Sequence, residues 1–330
     1  MDPALSEKLH AGGLISDGSL QRIRALEDRR LFSLYWELKT LLYLGVVLLS
    51  GGLGILVYKN IDTIGHQAVL IFIALVCAGS FAWCLRHAAP FSRAIVAPPN
   101  AIFDYILLLA CLTFITFIGY LQFQYHFFGE AYGLATFIPM VVLFACAYYF
   151  DHLGILSLAI TNLAAWMGIV VTPLRILRDN DFDSGRLIYT GLGLGLILVL
   201  AGLASVGRNF KKHFEFTYTH FGIHILFIAG LAGLFQFHNV YLAWFAGLLG
   251  LAFYFYREGL RRSSFYFLVL VVIYTYIAAS YAFVRLVSHL FGRIDQDELY
   301  VMLFYFIFSA IGVVRLLIIL NRKIKSHDRV

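Results

Sequence analysis

The sequence predicts an all-α fold: a polytopic transmembrane bundle of about ten helices, preceded by a small cytoplasmic N-terminal helical element. Three observations predict it. The 330-residue chain is 61% hydrophobic and 13% charged, whereas a soluble domain is about half apolar and a quarter charged. The apolar residues fall in runs close to the roughly 20 residues that a bilayer core requires of one helix. The basic residues gather in the short segments that join alternate runs, the pattern that orients membrane helices.

Ten runs qualify, at roughly 40–58, 66–86, 103–123, 134–150, 152–171, 187–206, 219–236, 239–256, 264–288 and 299–320. Two divisions are weak. Only Phe150-Asp151-His152 splits 134–171, and only Gln236-Phe237-His238-Asn239 splits 219–256. If neither forms a hairpin, the count falls to eight. Residues 321–330 read as a basic cytoplasmic tail. With the N-terminus inside, eighteen Lys and Arg lie on inner segments and five on outer ones, so both termini are expected in the cytoplasm. The net charge of +6 therefore reflects orientation. No Lys/Arg tract or zinc-finger spacing points to nucleic acid.

Residues 1–39 are polar, lack the apolar core of a secretion signal, and read as a helical element. Ser16 is the expected N-cap, with Asp17 in the first turn, and Leu20, Ile23 and Leu26 form a modest stripe. Such an element packs on the membrane domain or binds a cytoplasmic partner. The four cysteines, Cys77, Cys84, Cys111 and Cys146, sit in or at the edges of apolar runs. They form neither a disulfide framework nor a Cys-x-x-Cys pair and read as small apolar filler.

Two short echoes suggest a parallel duplication over 103–206 and 219–320. Phe123-Gln124-Tyr125-His126 ends the third run, and Phe235-Gln236-Phe237-His238 ends the seventh. Tyr148 to His152 has a weaker counterpart in Tyr254 to Glu258. Parallel repeats occur in transporters, and matches this short also arise by chance in a chain rich in Phe and Tyr.

Three passages resemble a bacterial membrane family, domain-of-unknown-function family 2157. Leu9 to Ile23, LHAGGLISDGSLQRI, is similar to its cytoplasmic opening. Residues 43–62, YLGVVLLSGGLGILVYKNID, resemble its glycine-rich first helix; Asn60 and Asp62 match and Ile61 replaces a tryptophan. Residues 119–130, GYLQFQYHFFGE, match at Tyr125, His126 and Gly129, while Phe123 stands where the family has glutamine, between Gln122 and Gln124. The resemblance covers roughly the N-terminal half. It implies a multi-helix bacterial cytoplasmic-membrane protein and assigns no biochemical activity.

The candidate ligand or pathway residues are polar groups in or beside the apolar runs. Gln122, Gln124 and His126 close the third helix, and Gln236 and His238 close the seventh on the same outer side. Together they offer hydrogen bonds and a proton near neutral pH to a headgroup, sugar or small ion; the plainer reading is that they meet interfacial water. Asn60 and Asp62 add outer polarity or serve a turn. His220 and His224 share a helix face, but lack a third metal ligand nearby. Asp104, Arg285 and Arg315 lie within or near helix ends, where a charge needs a partner, a polar cavity or an interface; Asp104 with Arg315 is one conceivable pair. Asn162, Trp166, Thr275 and Ser280 either line a pathway or hydrogen-bond inside the bundle. Gly51, Gly52, Gly54, Gly191, Gly193 and Gly195 permit close packing or a flexible break, and no phosphate loop follows them.

These residues leave several functions open. One is transport or binding of a small or amphipathic solute by rocking of helix groups around a polar site. Another is a non-catalytic sensor, scaffold or assembly component that engages a cytoplasmic protein through residues 1–39. The weakest is a membrane enzyme using His126 with Asp62 or Glu130 as acid and base; no strong catalytic constellation supports it. Membrane lipids are the remaining partners, and no cofactor is implied.

Overall fold

A computed structural model describes residues 10, 12, 16–19, 35–171, 185–262, 264–291 and 296–327. Among these, the chain forms ten α-helices. They are α1 (Tyr35–Ile64), α2 (His66–His87), α3 (Ala101–Tyr125), α4 (Tyr132–Phe150), α5 (Leu153–Val171), α6 (Gly185–Gly207), α7 (Phe214–Gln236), α8 (Tyr241–Arg261), α9 (Phe265–Phe291) and α10 (Gln296–His327). Nine of the helical segments are long and apolar enough to span a membrane; α5 contributes a shorter apolar stretch, Leu153–Gly168. Both weak divisions in the sequence are real hairpins. The fold is therefore an all-α polytopic bundle, the architecture that satisfies every backbone group without help from lipid.

The chain divides into two compact units, Met1–Ile64 and Gly65–Val330. In the first, Ser16 caps a short helical turn: its Oγ accepts from the Ser19 N–H at 3.3 Å. Asp17 Oδ1 accepts from His10 Nε2 at 2.6 Å. Residues 35–39 of the expected N-terminal element belong to α1, and most of the rest lies outside the described residues. α1 continues six residues beyond the expected end of the first run, carrying Asn60 and Asp62 within the helix.

In the second unit, the turns follow from local chemistry. Asn100 caps α3 by accepting from the Phe103 N–H at 2.8 Å. His126 ends α3 in the left-handed region, with φ 47°. Asp151 does the same for α4 with φ 59°, and His152 then caps α5 by accepting from the Ile155 N–H at Nδ1. A single 3₁₀ turn, His238–Val240, joins α7 to α8. α10 runs on to His327, so most of the basic tail is helical.

α7 is the central helix, buried over most of its length. It packs on α5, α6, α8 and α9. Lipid supplies little apolar driving force between helices, so close approach must supply it. A Cβ on Gly222 would lie 2.8 Å from Val199 Cγ2 and 3.0 Å from the Gly195 carbonyl oxygen; one on Gly195 would lie 2.7 Å from Leu226 Cγ. The α6–α7 backbones are therefore close because both carry glycine at the crossing. Gly191 joins this contact and Gly193 does not. One apolar core is shared by α2 to α7, a second by α6 to α9, and a third by α9 and α10.

Two sets of turns gather at opposite ends of the unit. At one end, the Lys211 N–H donates to the Arg93 carbonyl, and Arg262 reaches Glu215. At the other, Phe237 packs on Gly185 and Arg285 reaches His238.

Candidate functional site

α9 carries Tyr281 and Arg285 one turn apart near its C-terminal end. The α7–α8 hairpin brings His238 against them. That hairpin is tight because Gly233 has no side chain: a Cβ there would sit 2.4 Å from Trp244. Trp244 in turn stacks on Phe237, with ring centroids 5.4 Å apart and planes 7° apart. Arg285 Nη1 then donates to Tyr281 Oη at 3.1 Å and to His238 Nδ1 at 3.1 Å. Arginine has no acceptor, so His238 Nδ1 is the accepting atom in this contact. The guanidinium also lies 5.3 Å from the centroid of the Tyr241 ring, a cation–π contact. Beside it opens a groove of about 560 Å³ lined by Tyr241, Tyr281, Val284, Arg285, Ser288 and His289. Among the described residues no carboxylate pairs with Arg285. Its charge is thus held in place beside an open groove, with Nη2 also donating to the His238 carbonyl at 3.5 Å.

Toward the other end, α7 and α9 meet in a second polar arrangement. His220 Nδ1 lies 2.6 Å from Tyr266 Oη. Tyr266 Oη lies 3.1 Å from His224 Nε2, and His224 Nδ1 lies 2.6 Å from Tyr274 Oη. The two imidazoles are one helical turn apart, with centroids separated by 4.7 Å. Their partners are tyrosines from α9, not metal ligands. Among the described residues no group of three His, Cys, Asp or Glu is placed to hold a metal ion.

The turns at this end are tied by buried charges. Asp151 Oδ1 is 3.0 Å from Lys211 Nζ and 2.6 Å from His213 Nε2. Its Oδ2 accepts from the Val96 N–H at 2.5 Å. One carboxylate therefore joins the α2–α3 connection, the α4–α5 turn and the α6–α7 turn. Ser205 Oγ donates to the Phe210 and Lys211 carbonyls, closing the last of these. Nearby, Glu215 accepts from Thr219 and Arg262, and Arg262 also donates to Glu258 at 2.6 Å. Burial works against the Arg262 charge, but the hydrogen bonds from Glu215 and Glu258 outweigh it and raise the Arg262 pKa above its usual value.

The remaining sequence candidates are scattered. Asn60 and Asp62 lie on α1, and their side chains are outside the described residues. Gln122 is buried and closes its own turn, donating to the Gly129 carbonyl at 3.0 Å and accepting from the Phe128 N–H at 2.9 Å. Gln124 is half-buried beside it, while His126 and Gln236 are exposed at the ends of α3 and α7. Asn162 donates to the Leu158 carbonyl of its own helix. Ser280 meets Tyr305 on α10. Asp104 lies 3.9 Å from His152 on α3, which packs on α2, α4 and α5; Arg315 is exposed on α10, which packs on α9. Asp104 and Arg315 thus do not form the conceived pair, because their similar depth does not make their helices neighbours. The structure unites His238 with Arg285, and His220 with His224. Sequence reasoning missed Tyr241, Tyr266, Tyr274 and Tyr281, which complete both groups, and the Asp151–Lys211–His213 cluster.

Residues 7–156 match the model of a family described as a predicted membrane protein, DUF2157. The resemblance read over the N-terminal half is borne out there. The match ends just beyond the α4–α5 turn, before both polar arrangements of α7 and α9. Neither the curated proteins nor the solved structures yield a match.

Proposed function

We propose that this membrane protein binds a small or amphipathic solute through an anionic group at Arg285. One observation carries the reading: a guanidinium fixed by His238, Tyr281 and the Tyr241 ring opens onto a groove, without a carboxylate partner among the described residues. Arginine in this setting suits a carboxylate or phosphate, which accepts two parallel hydrogen bonds. The aromatic walls and surrounding apolar helices suit an attached acyl or aryl portion. Binding of this kind is the first step of transport, and exchange of the solute across the bilayer would use rocking of helix groups.

The excess of Lys and Arg on the segments read as inner supports an orientation with both termini in the cytoplasm, for a protein of a bacterial cytoplasmic membrane. The Arg285 groove then faces outward.

The test uses full-length protein in lipid nanodiscs and dodecyl phosphate as probe. Saturable binding that falls at least tenfold in Arg285→Gln, with dodecyl maltoside binding unaltered, is the expected result. Equal binding by wild type and Arg285→Gln refutes the site.

A second reading, a non-catalytic scaffold or assembly component, is favoured by a different observation. The Asp151 cluster cross-ties three connections into one firm surface. A cytoplasmic protein bound through residues 1–39 would be lost from purified complexes when that segment is deleted.

A further inference from the structure

The polar groups along the α7–α9 seam are arranged in an order that a binding groove does not require. Tyr274, His224, Tyr266 and His220 form an unbroken chain of three hydrogen bonds of 2.6, 3.1 and 2.6 Å. All four belong to membrane-spanning segments. Polar groups in such segments are costly and commonly carry ions or protons. We propose that this chain is a proton relay, a further activity of the α7–α9 seam independent of the Arg285 groove.

The argument rests on hydrogen-bond inventory. A neutral imidazole has one N–H donor and one ring-nitrogen acceptor, and a phenol has one donor and accepts as well. Two assignments fill all three bonds with every donor pointing the same way along the chain. In the first, Tyr274 donates to His224 Nδ1, His224 Nε2–H donates to Tyr266, and Tyr266 donates to His220 Nδ1. His220 then bears its hydrogen on Nε2. In the second, every donor is reversed, and both histidines bear hydrogen on Nδ1. Of the mixed pairs, His224 on Nδ1 with His220 on Nε2 leaves Tyr266 one hydrogen for two acceptors, and His224 on Nε2 with His220 on Nδ1 makes Tyr266 a double acceptor and breaks the run of donors.

Passage of one proton converts the first assignment into the second. A proton arrives at Tyr274 Oη, whose own hydrogen moves to His224 Nδ1. The His224 Nε2 hydrogen moves to Tyr266 Oη, and that of Tyr266 moves to His220 Nδ1. The His220 Nε2 hydrogen departs. One proton enters, one leaves, and no heavy atom moves far. The reverse conversion carries a proton the other way.

The chain has a defined entrance. His220 lies six residues into α7, or about 9 Å along it, and Tyr274 nine residues into α9, or about 14 Å. His220 Nε2 has no partner among the described residues. Glu215, one turn before Thr219 on α7, sits at the same end and is engaged by Thr219 and Arg262, with Glu258 on the far side of Arg262. Tyr218, the neighbouring titratable group of α7, faces Tyr148 at 2.8 Å and is not in the chain. Phe227 stacks on the Tyr274 ring, with centroids 5.0 Å apart and planes 2° apart, and holds it in place; Tyr274 itself is half-buried.

The decisive measurement is nitrogen NMR of full-length, ¹⁵N-histidine-labelled protein in lipid bilayers, with exchange into deuterated water. His220 and His224 should occupy the same tautomer in each populated state. The ring N–H of His224 should exchange nearly as fast as that of His220, although it lies deeper. Tyr266→Phe keeps the ring and removes the bridge; it should slow His224 exchange at least tenfold and leave His220 exchange unchanged. His220→Gln should slow His224 similarly. Opposite tautomers in the wild type overturn the relay even if neither variant folds, and so does His224 exchange that is indifferent to Tyr266.

Discussion

The Asp151 carboxylate and the Lys211 ammonium lie 3.0 Å apart, with both side chains fully withdrawn from solvent. They come from turns sixty residues apart in sequence, and each backbone sits in the left-handed region, at φ 59° and 49°. Lys211 also donates to the Ala94 carbonyl at 3.4 Å and lies over the Phe91 ring. Both charges are thus removed from water and answered by protein groups. Removing one partner leaves the other charge buried and unpaired, which costs about 3–5 kcal/mol.

Lys211→Met and Asp151→Asn should therefore each lower thermal stability in detergent micelles markedly. The double variant should recover a large part of the loss, because no lone charge remains. Independent, additive losses would mean that the two groups are not an energetic pair. His213 still contacts position 151 in Lys211→Met, so that variant should be the milder of the two single changes.

The α6–α7 crossing gives a second prediction. Gly222→Ala places a methyl against Val199 Cγ2 and, more importantly, against the backbone of Gly195 and Val199. A side-chain tip can rotate away, but backbone cannot, so the helices must separate. The expected loss is about 1–3 kcal/mol. Gly193→Ala on α6 is the control: its Cβ meets nothing within 4 Å, and alanine is the better helix former. Its melting temperature should match or exceed that of the wild type. Equal effects at the two positions would disprove the close crossing.

Gln122 gives a third. Its amide makes two hydrogen bonds to the turn after α3 from a buried position. Gln122→Leu keeps the volume and leaves the Phe128 N–H and Gly129 carbonyl without those partners. The expected cost is about 1–3 kcal/mol, with amide exchange at Phe128 accelerated. Unchanged exchange at Phe128 would show that water already satisfies this turn.

The helix count was legible because twenty-residue apolar runs leave little freedom. Asp151-His152 and His238-Asn239 marked the two uncertain turns correctly, since polar residues between such runs are poorly placed in hydrocarbon. Partnership across helices was not legible. The spacing of His220 and His224 establishes only that they share a face of α7; that tyrosines from α9 lie opposite depends on which helix packs there. In a chain with 20 tyrosines, no pattern singles out Tyr266 and Tyr274. Lys211 looked like one more orienting charge in a basic loop, because loop lysines are ordinarily solvated. The echo of Phe-Gln-x-His at two helix ends hid a difference: α3 closes on a left-handed His126, whereas α7 closes at Phe237 with φ −94° and ψ 70°.

The orientation of the bundle leads to the last prediction. All four cysteines are buried, so the wild type should react little with a membrane-impermeant maleimide. Glu130 and Lys212 are both exposed, in turns separated by α4, α5 and α6. Three crossings between them put the two turns on opposite sides of a bilayer. Glu130→Cys should then label in intact spheroplasts and Lys212→Cys only in inverted vesicles, if basic segments stay inside. The reversed pattern would keep the fold and overturn the orientation, placing the Arg285 groove in the cytoplasm. Labelling of both from one side would require that α5, the shortest apolar stretch, fail to cross. That outcome would contradict its burial against α4, where Ile155, Leu156, Ala159 and Ile160 are all fully enclosed.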